Sequence, residues 1–198
     1  MALPGVTSGV AADPDEVVIG PRRAVFLDRD GVINRAVVRD GKPYPPDTLR
    51  ELEILPGVAQ ALLRLRSAGF LNVVVTNQPD VATGGQSRAI VDSMHARLLK
   101  ELAIDAIKVC FHADADGCAC RKPRPGMLLE AAQELGISLP NSFMIGDRWR
   151  DIAAGQAAGC RCYFLDYGYA ERRPELPYAT VESLADSVDR ILGATGGS

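Results

Sequence analysis

Ala24-Val25-Phe26-Leu27-Asp28-Arg29-Asp30-Gly31 is the stretch that decides how the chain reads. Ala24 to Leu27 form an unbroken apolar run, the pattern of a strand covered on both faces. The run stops at a polar turn that carries Asp28 and Asp30. Two carboxylates one residue apart can both point from such a turn into a single crevice.

Outward from this stretch, short apolar runs alternate with helix-like segments. Pro56 to Gly69 puts Val58, Leu62 and Leu65 on one helical face, with Pro56 at the start and Gly69 at the stop. Asn72 to Thr76 reads as a second strand, and Ser87 to Leu102 as a helix with Ile90, Met94 and Leu98 in line. Ile107 to Phe111 is a third strand, followed by a helix from Pro125 or Gly126 to near Gly136. Ser142 to Ile145, Asp151 to Ala158, Cys160 to Leu165 and Val181 to Leu192 continue as strand, helix, strand, helix. This alternation predicts an α/β fold: a Rossmann-like, doubly wound, mostly parallel sheet with helices on both faces. Ligands in such sheets bind at the carboxyl ends of the strands.

The bulk properties agree with one soluble domain. The chain has 198 residues, 47% apolar and 24% charged, with net charge −3. Residues 1–21 are expected to be a flexible tail without a signal peptide, and 22–198 a single domain. No apolar run approaches the ~20 residues that cross a bilayer. Neither nucleic acid nor membrane is an expected partner, and a cytoplasmic monomer or small oligomer is. The five cysteines are expected to be reduced, and only His95 and His112 supply imidazole.

Chemistry gathers at the strand ends. Asp28 and Asp30 follow the first, and Thr76-Asn77-Gln78 closes the second. Arg121-Lys122 follows the third, and Gly146-Asp147 closes the fourth, with Asp151 one helical turn later. Carboxylates that suit hard magnesium, beside a lysine and a hydroxyl, are what metal-assisted phosphoryl transfer requires. For Lys122 and Asp151 alone, a surface ion pair is the competing reading.

The set resembles the haloacid dehalogenase superfamily of phosphatases, whose four motifs it matches in order: Asp28-x-Asp30-Gly31-Val32-Ile33, Thr76, Lys122, and Gly146-Asp147 with Asp151. The resemblance spans about residues 24 to 170. It implies a magnesium-dependent phosphatase acting on a small phosphate ester. Asp28 would be the nucleophile that becomes phosphorylated, and Asp30 the general acid and base. Thr76 and Asn77 would hold phosphoryl oxygens, and Lys122 would pair with Asp28 and the phosphate. Asp28, the Asp30 carbonyl and Asp147 would bind magnesium, supported by Asp151. Gln78 and Arg121 are further expected substrate contacts. There is no insertion long enough for a large cap domain.

Cys110-x-His112-x5-Cys118-x-Cys120 offers three thiolates and one imidazole within eleven residues. Zinc takes four such ligands in a closed structural site, so 110–120 reads as a zinc loop. The alternative is three buried cysteines, which Asp114, Asp116 and Gly117 make less suited to this polar loop. The run through Arg121-Lys122-Pro123 resembles two groups of that superfamily, heptose 1,7-bisphosphate phosphatases and histidinol-phosphate phosphatases. Asp30-Gly31-Val32-Ile33-Asn34 and Arg121 to Met127 favour the first, with the 7-phosphate removed. The short zinc spacer favours the second, and a non-catalytic phosphate-binding protein is a third reading. Cys160 and Cys162 read as core residues, and His95 as a half-buried structural one.

Overall fold

The computed structural model describes residues 20–195, so most of the expected tail lies outside the described residues. β1 (Arg23–Leu27) leads into a small antiparallel hairpin, β2 (Val37–Arg39) and β3 (Lys42–Tyr44). Then come α1 (Val58–Ser67), β4 (Phe70–Asn77), α2 (Arg88–Glu101), β5 (Ala106–Cys110) and α3 (Gly126–Leu135). β6 (Phe143–Gly146), α4 (Trp149–Ala158), β7 (Arg161–Leu165), β8 (Ala179–Val181) and α5 (Leu184–Thr195) complete it.

Six strands form one sheet in the order β5-β4-β1-β6-β7-β8, and every pairing is parallel. The chain runs outward from β1 to β4 and β5, then returns to the other side of β1 at β6. The carboxyl edge of β1 and β6 is therefore the point where strand order reverses, the usual crevice for a ligand.

Alternation along the strands sorts the core into two layers. Val25 and Leu27 of β1 join Val74, Phe143 and Ile145 on one face, against Leu62 and Leu65 of α1, Met94 and Leu98 of α2, and Val188 and Ile191 of α5. Ala24 and Phe26 join Val73, Val75 and Met144 on the other, against Leu128 of α3 and Ile152 of α4. Because both faces are covered, the central strands read as unbroken apolar runs. Asn72 is a polar exception inside β4; its amide donates to the carbonyls of Leu62 (2.9 Å) and Ala103 (2.7 Å), stitching the middle of α1 to the approach to β5.

Two elements differ from the expectation. Val181 pairs with Leu165 in an edge strand and is not helical; α5 starts three residues later. The loop after Asn34 contains the β2–β3 hairpin. Cys160 and Cys162 are buried in one core layer, where burial pushes both thiols up to about 12, the state of an unreactive thiol.

Candidate active site

β1 carries Asp28 to the reversal point, where its backbone N–H donates to the Ile145 carbonyl (3.0 Å). The chain then turns at Gly31, which has φ +91°. A Cβ here would overlap the Asp147 carboxylate, so glycine is required both by backbone conformation and by the close approach of β6. Gly146 is constrained likewise, since a side chain there would collide with Asp151.

Lys122 arrives from the loop between β5 and α3 and is 2% exposed. Its three ammonium protons have three acceptors: Asp28 Oδ1 (2.8 Å), Asp151 Oδ1 (2.7 Å) and the Val75 carbonyl (2.7 Å). Burial works against its charge, yet Asp151 and Asp28 outweigh burial and hold its pKa above the ordinary value. A buried ammonium is tolerated when it is fully paired in this way. Its backbone is fixed too: the Asn77 side chain donates to the Lys122 carbonyl (3.0 Å) and accepts from the Lys122 N–H (3.1 Å).

Asp28, Asp147 and Asp151 are all buried, and one oxygen from each lies within 4.8 Å of the others. Burial pushes the Asp28 carboxyl up to about 6, with Asp151 adding to the rise and Lys122 opposing it. Asp147 is held well above the usual carboxylate range by burial, then by Asp28 and Asp151. Its Oδ2 accepts from the Tyr169 hydroxyl (3.0 Å), while Oδ1 has no partner. An excess of buried carboxylate with one unsatisfied oxygen fits a hard divalent cation, whose ligands are oxygens.

The Asp30 side chain is not part of this three-carboxylate cluster. It is gripped by Arg29 and accepts from Asn34 Nδ2 (2.9 Å) and Gln78 Nε2 (3.0 Å). The Gln78 amide also donates to Thr76 Oγ1 (2.9 Å), leaving the Thr76 proton free to point elsewhere.

Above these groups opens a cavity of about 260 Å³. Asp28, Asp30, Thr76, Asn77, Lys122 and Asp151 form part of its wall; Gln78 does not, being 1% exposed behind Thr76. The β2–β3 hairpin supplies Lys42 and Tyr44 to its lining, and Arg121, Arg148 and Arg150 line it as well. Arg121 Nε binds Asp114 (2.5 Å), which also meets Arg150 (3.2 Å), and Arg148 pairs with Glu171. Lys42 forms no ion pair among the described residues.

Cys110, His112, Cys118 and Cys120 converge on one another. The Sγ atom of Cys120 lies 3.3 Å from Cys110 Sγ, 3.4 Å from Cys118 Sγ and 3.3 Å from His112 Nδ1. Cys110 Sγ lies 3.7 Å from Cys118 Sγ. A tetrahedron with Zn–S bonds of about 2.3 Å has edges of about 3.8 Å, so the four atoms stand close to the corners of such a cage.

Sequence reasoning did not single out Arg29 or Tyr169. Arg29 sits inside the first motif, and Tyr169 lies in the segment after β7, a strand end of the same edge.

The chain is similar to known proteins in sequence and fold. Residues 119–189 match the HAD-hydrolase-like family model. D-glycero-beta-D-manno-heptose-1,7-bisphosphate 7-phosphatase of Pseudomonas aeruginosa is 36% identical, covering 87% of this chain and 97% of its own. D-glycero-alpha-D-manno-heptose-1,7-bisphosphate 7-phosphatase of Mycobacterium bovis is 42% identical over 76% of this chain and 82% of its own. The crystal structure of D,D-heptose 1,7-bisphosphate phosphatase from Bordetella bronchiseptica, complexed with magnesium and phosphate, superposes with a TM-score of 0.75 at 32% identity. It covers 87% of this chain and 99% of that one. At such identity over nearly whole chains, and with the parallel sheet shared, this chain belongs to the haloacid dehalogenase-like phosphatases, alongside the heptose bisphosphate phosphatases, and is a phosphoric monoester hydrolase.

Proposed function

We propose that the protein removes the 7-phosphate of D-glycero-D-manno-heptose 1,7-bisphosphate through an aspartyl-phosphate on Asp28. The observation that carries this reading is the buried ion-paired cluster of Lys122 with Asp28 and Asp151, beside the unpartnered Asp147 oxygen, at the floor of a cation-rimmed cavity. The names of the relatives supply the substrate.

In this mechanism Asp28 attacks phosphorus with the oxygen not held by Lys122, and the ester P–O bond breaks. Asp30 gives its proton to the departing sugar alkoxide, then takes one from the water that attacks the phosphorylated Asp28. The Thr76 hydroxyl, already accepting from Gln78, donates its own proton to a phosphoryl oxygen. Lys122 holds Asp28 in line and offsets charge on the transferring group. Asp28, Asp147 and Asp151, together with the Asp30 carbonyl, would hold magnesium, which when bound neutralises negative charge on the phosphate. The Cys110, His112, Cys118 and Cys120 cage would hold zinc and stiffen the loop that delivers Arg121 and Lys122. Lys42, in no ion pair among the described residues, lines the cavity and would meet the second phosphate of a bisphosphate.

Phosphate release tests the reading. With magnesium, both anomers of the heptose bisphosphate should be turned over with higher kcat/KM than sugar monophosphates and histidinol phosphate. Asp28→Asn should lower kcat at least about 10³-fold. Full activity in that variant would overturn the mechanism, and a preference for histidinol phosphate would overturn the substrate.

A further inference from the structure

Arg29 lies between the two motif carboxylates in sequence, yet it faces neither the cavity nor solvent. It is fully buried. A guanidinium is costly to bury unless its charge and N–H groups are met. Here Nε and Nη2 fork onto both oxygens of Asp30 at 2.9–3.2 Å. On the far side, Nη1 lies 3.1 Å from Nε2 of His95, a residue of α2 that is itself buried. A guanidinium can only donate, so Nε2 accepts and the ring is neutral with its proton on Nδ1. Burial, and then the Arg29 charge, push the His95 pKa down to about 4, in keeping with that assignment.

Every side-chain partner of Asp30 is a donor: the Arg29 fork, Asn34 Nδ2 and Gln78 Nε2. These donors reach the carboxyl from several directions and fix its orientation. The bracing helix and the braced loop are 66 positions apart in the chain, so local turn geometry does not account for the contact.

We propose that Arg29, braced by His95, is a positioning residue that holds the Asp30 carboxyl in the orientation from which it activates water in the second half-reaction. This rests on the reading of Asp30 as general acid and base. In that step a water O–H proton passes to Asp30, the water oxygen bonds to phosphorus, and the P–O bond to Asp28 breaks. The products are the free Asp28 carboxylate and inorganic phosphate. With a sugar ester the first half-reaction uses Asp30 as an acid, but with a leaving group that needs no proton it does not, and loss of the brace then slows only the second.

4-Nitrophenyl phosphate separates the two, because nitrophenolate leaves without a proton. In the magnesium-loaded full chain, His95→Leu and Arg29→Lys should lower kcat about tenfold, part of the range for general base catalysis. KM should fall in parallel, keeping kcat/KM within about twofold of the parent enzyme, with a nitrophenolate burst near one per chain. His95→Gln offers an amide oxygen to Arg29 and should stay within about threefold of the parent in kcat. Asp30→Asn should show the same burst with a larger fall in kcat. Parent-like turnover in Asp30→Asn would overturn the reading of Asp30 itself. The burst in Asp30→Asn but in neither brace variant would overturn the inference alone. Equal losses in kcat and kcat/KM would also overturn it, marking general damage to the site. Should His95→Leu fail to fold, Arg29→Lys decides, since it keeps the buried cation but cannot reach Asp30 as a fork and His95 at once.

Discussion

His95 shows how a single residue links the site to the stability of the fold. Its pKa falls from 6.5 to about 4 on folding, with burial the larger cause. Between those values the unfolded chain binds a proton that the folded chain refuses. The stabilisation from burying a neutral ring is therefore complete above pH 6.5 and is lost as pH falls toward 4. The expected loss approaches about 3 kcal/mol. Urea melts of the parent and of His95→Gln at pH 7.5 and pH 4.5 should show a steeper decline in the parent; equal declines would contradict this. The convergence of Asp28, Thr76 and Asp147 was legible in sequence because each terminates or directly follows an apolar strand, while Lys122, deep in the loop after β5, was marked by its motif. Arg29 and His95 were not. An arginine in a polar turn reads as solvent-facing, and a lone histidine on a helix carries no sign of what it meets. Gln78 stood beside Thr76 in sequence, but its amide is spent on Asp30 and Thr76, behind the cavity wall.

Among the elements, the central strands were readable because burial on both faces leaves little but Val, Ile, Leu and Phe. The β2–β3 hairpin was not, because Lys42-Pro43-Tyr44 has one buried residue of three and a proline. β8 is three residues at a sheet edge, too short for periodicity to register against the helix that follows. The convergence of Cys110, His112, Cys118 and Cys120 was anticipated from their residue types and spacing, and the place of this loop would give a bound zinc its worth. Arg121 and Lys122 directly follow Cys120, and Asp114 within the loop ties Arg121 to Arg150 of α4. Metal analysis of protein purified without chelator should find about one zinc per chain. Cys118→Ser should reduce that content and lower kcat, while leaving the melting temperature less changed than a core substitution would. Stoichiometric zinc in Cys118→Ser would exclude it as a ligand.

At the scale of the molecule, three buried carboxylates crowd together and Lys122 pairs with only two of them, so the native state carries electrostatic strain that a divalent cation would relieve. Magnesium should therefore raise the melting temperature of the parent, by mass action on the folded state alone. Asp147→Asn should abolish most of that rise, and an undiminished rise would place the cation elsewhere. Among the described residues no helix is long and apolar enough to cross a membrane. The connections that build the site are also among the longest in the chain: Lys122 reaches Asp28 across 94 positions, and Tyr167 donates to the Gly31 carbonyl across 136. No half of the sheet holds the whole cluster, because Asp28 follows β1, Thr76 lies in β4, Lys122 comes from the loop after β5 and Asp147 follows β6. Loop closure of this length is slow. Recovery of phosphatase turnover after dilution from denaturant should then trail the return of helical signal, so that catalysis serves as the clock for the last event of folding.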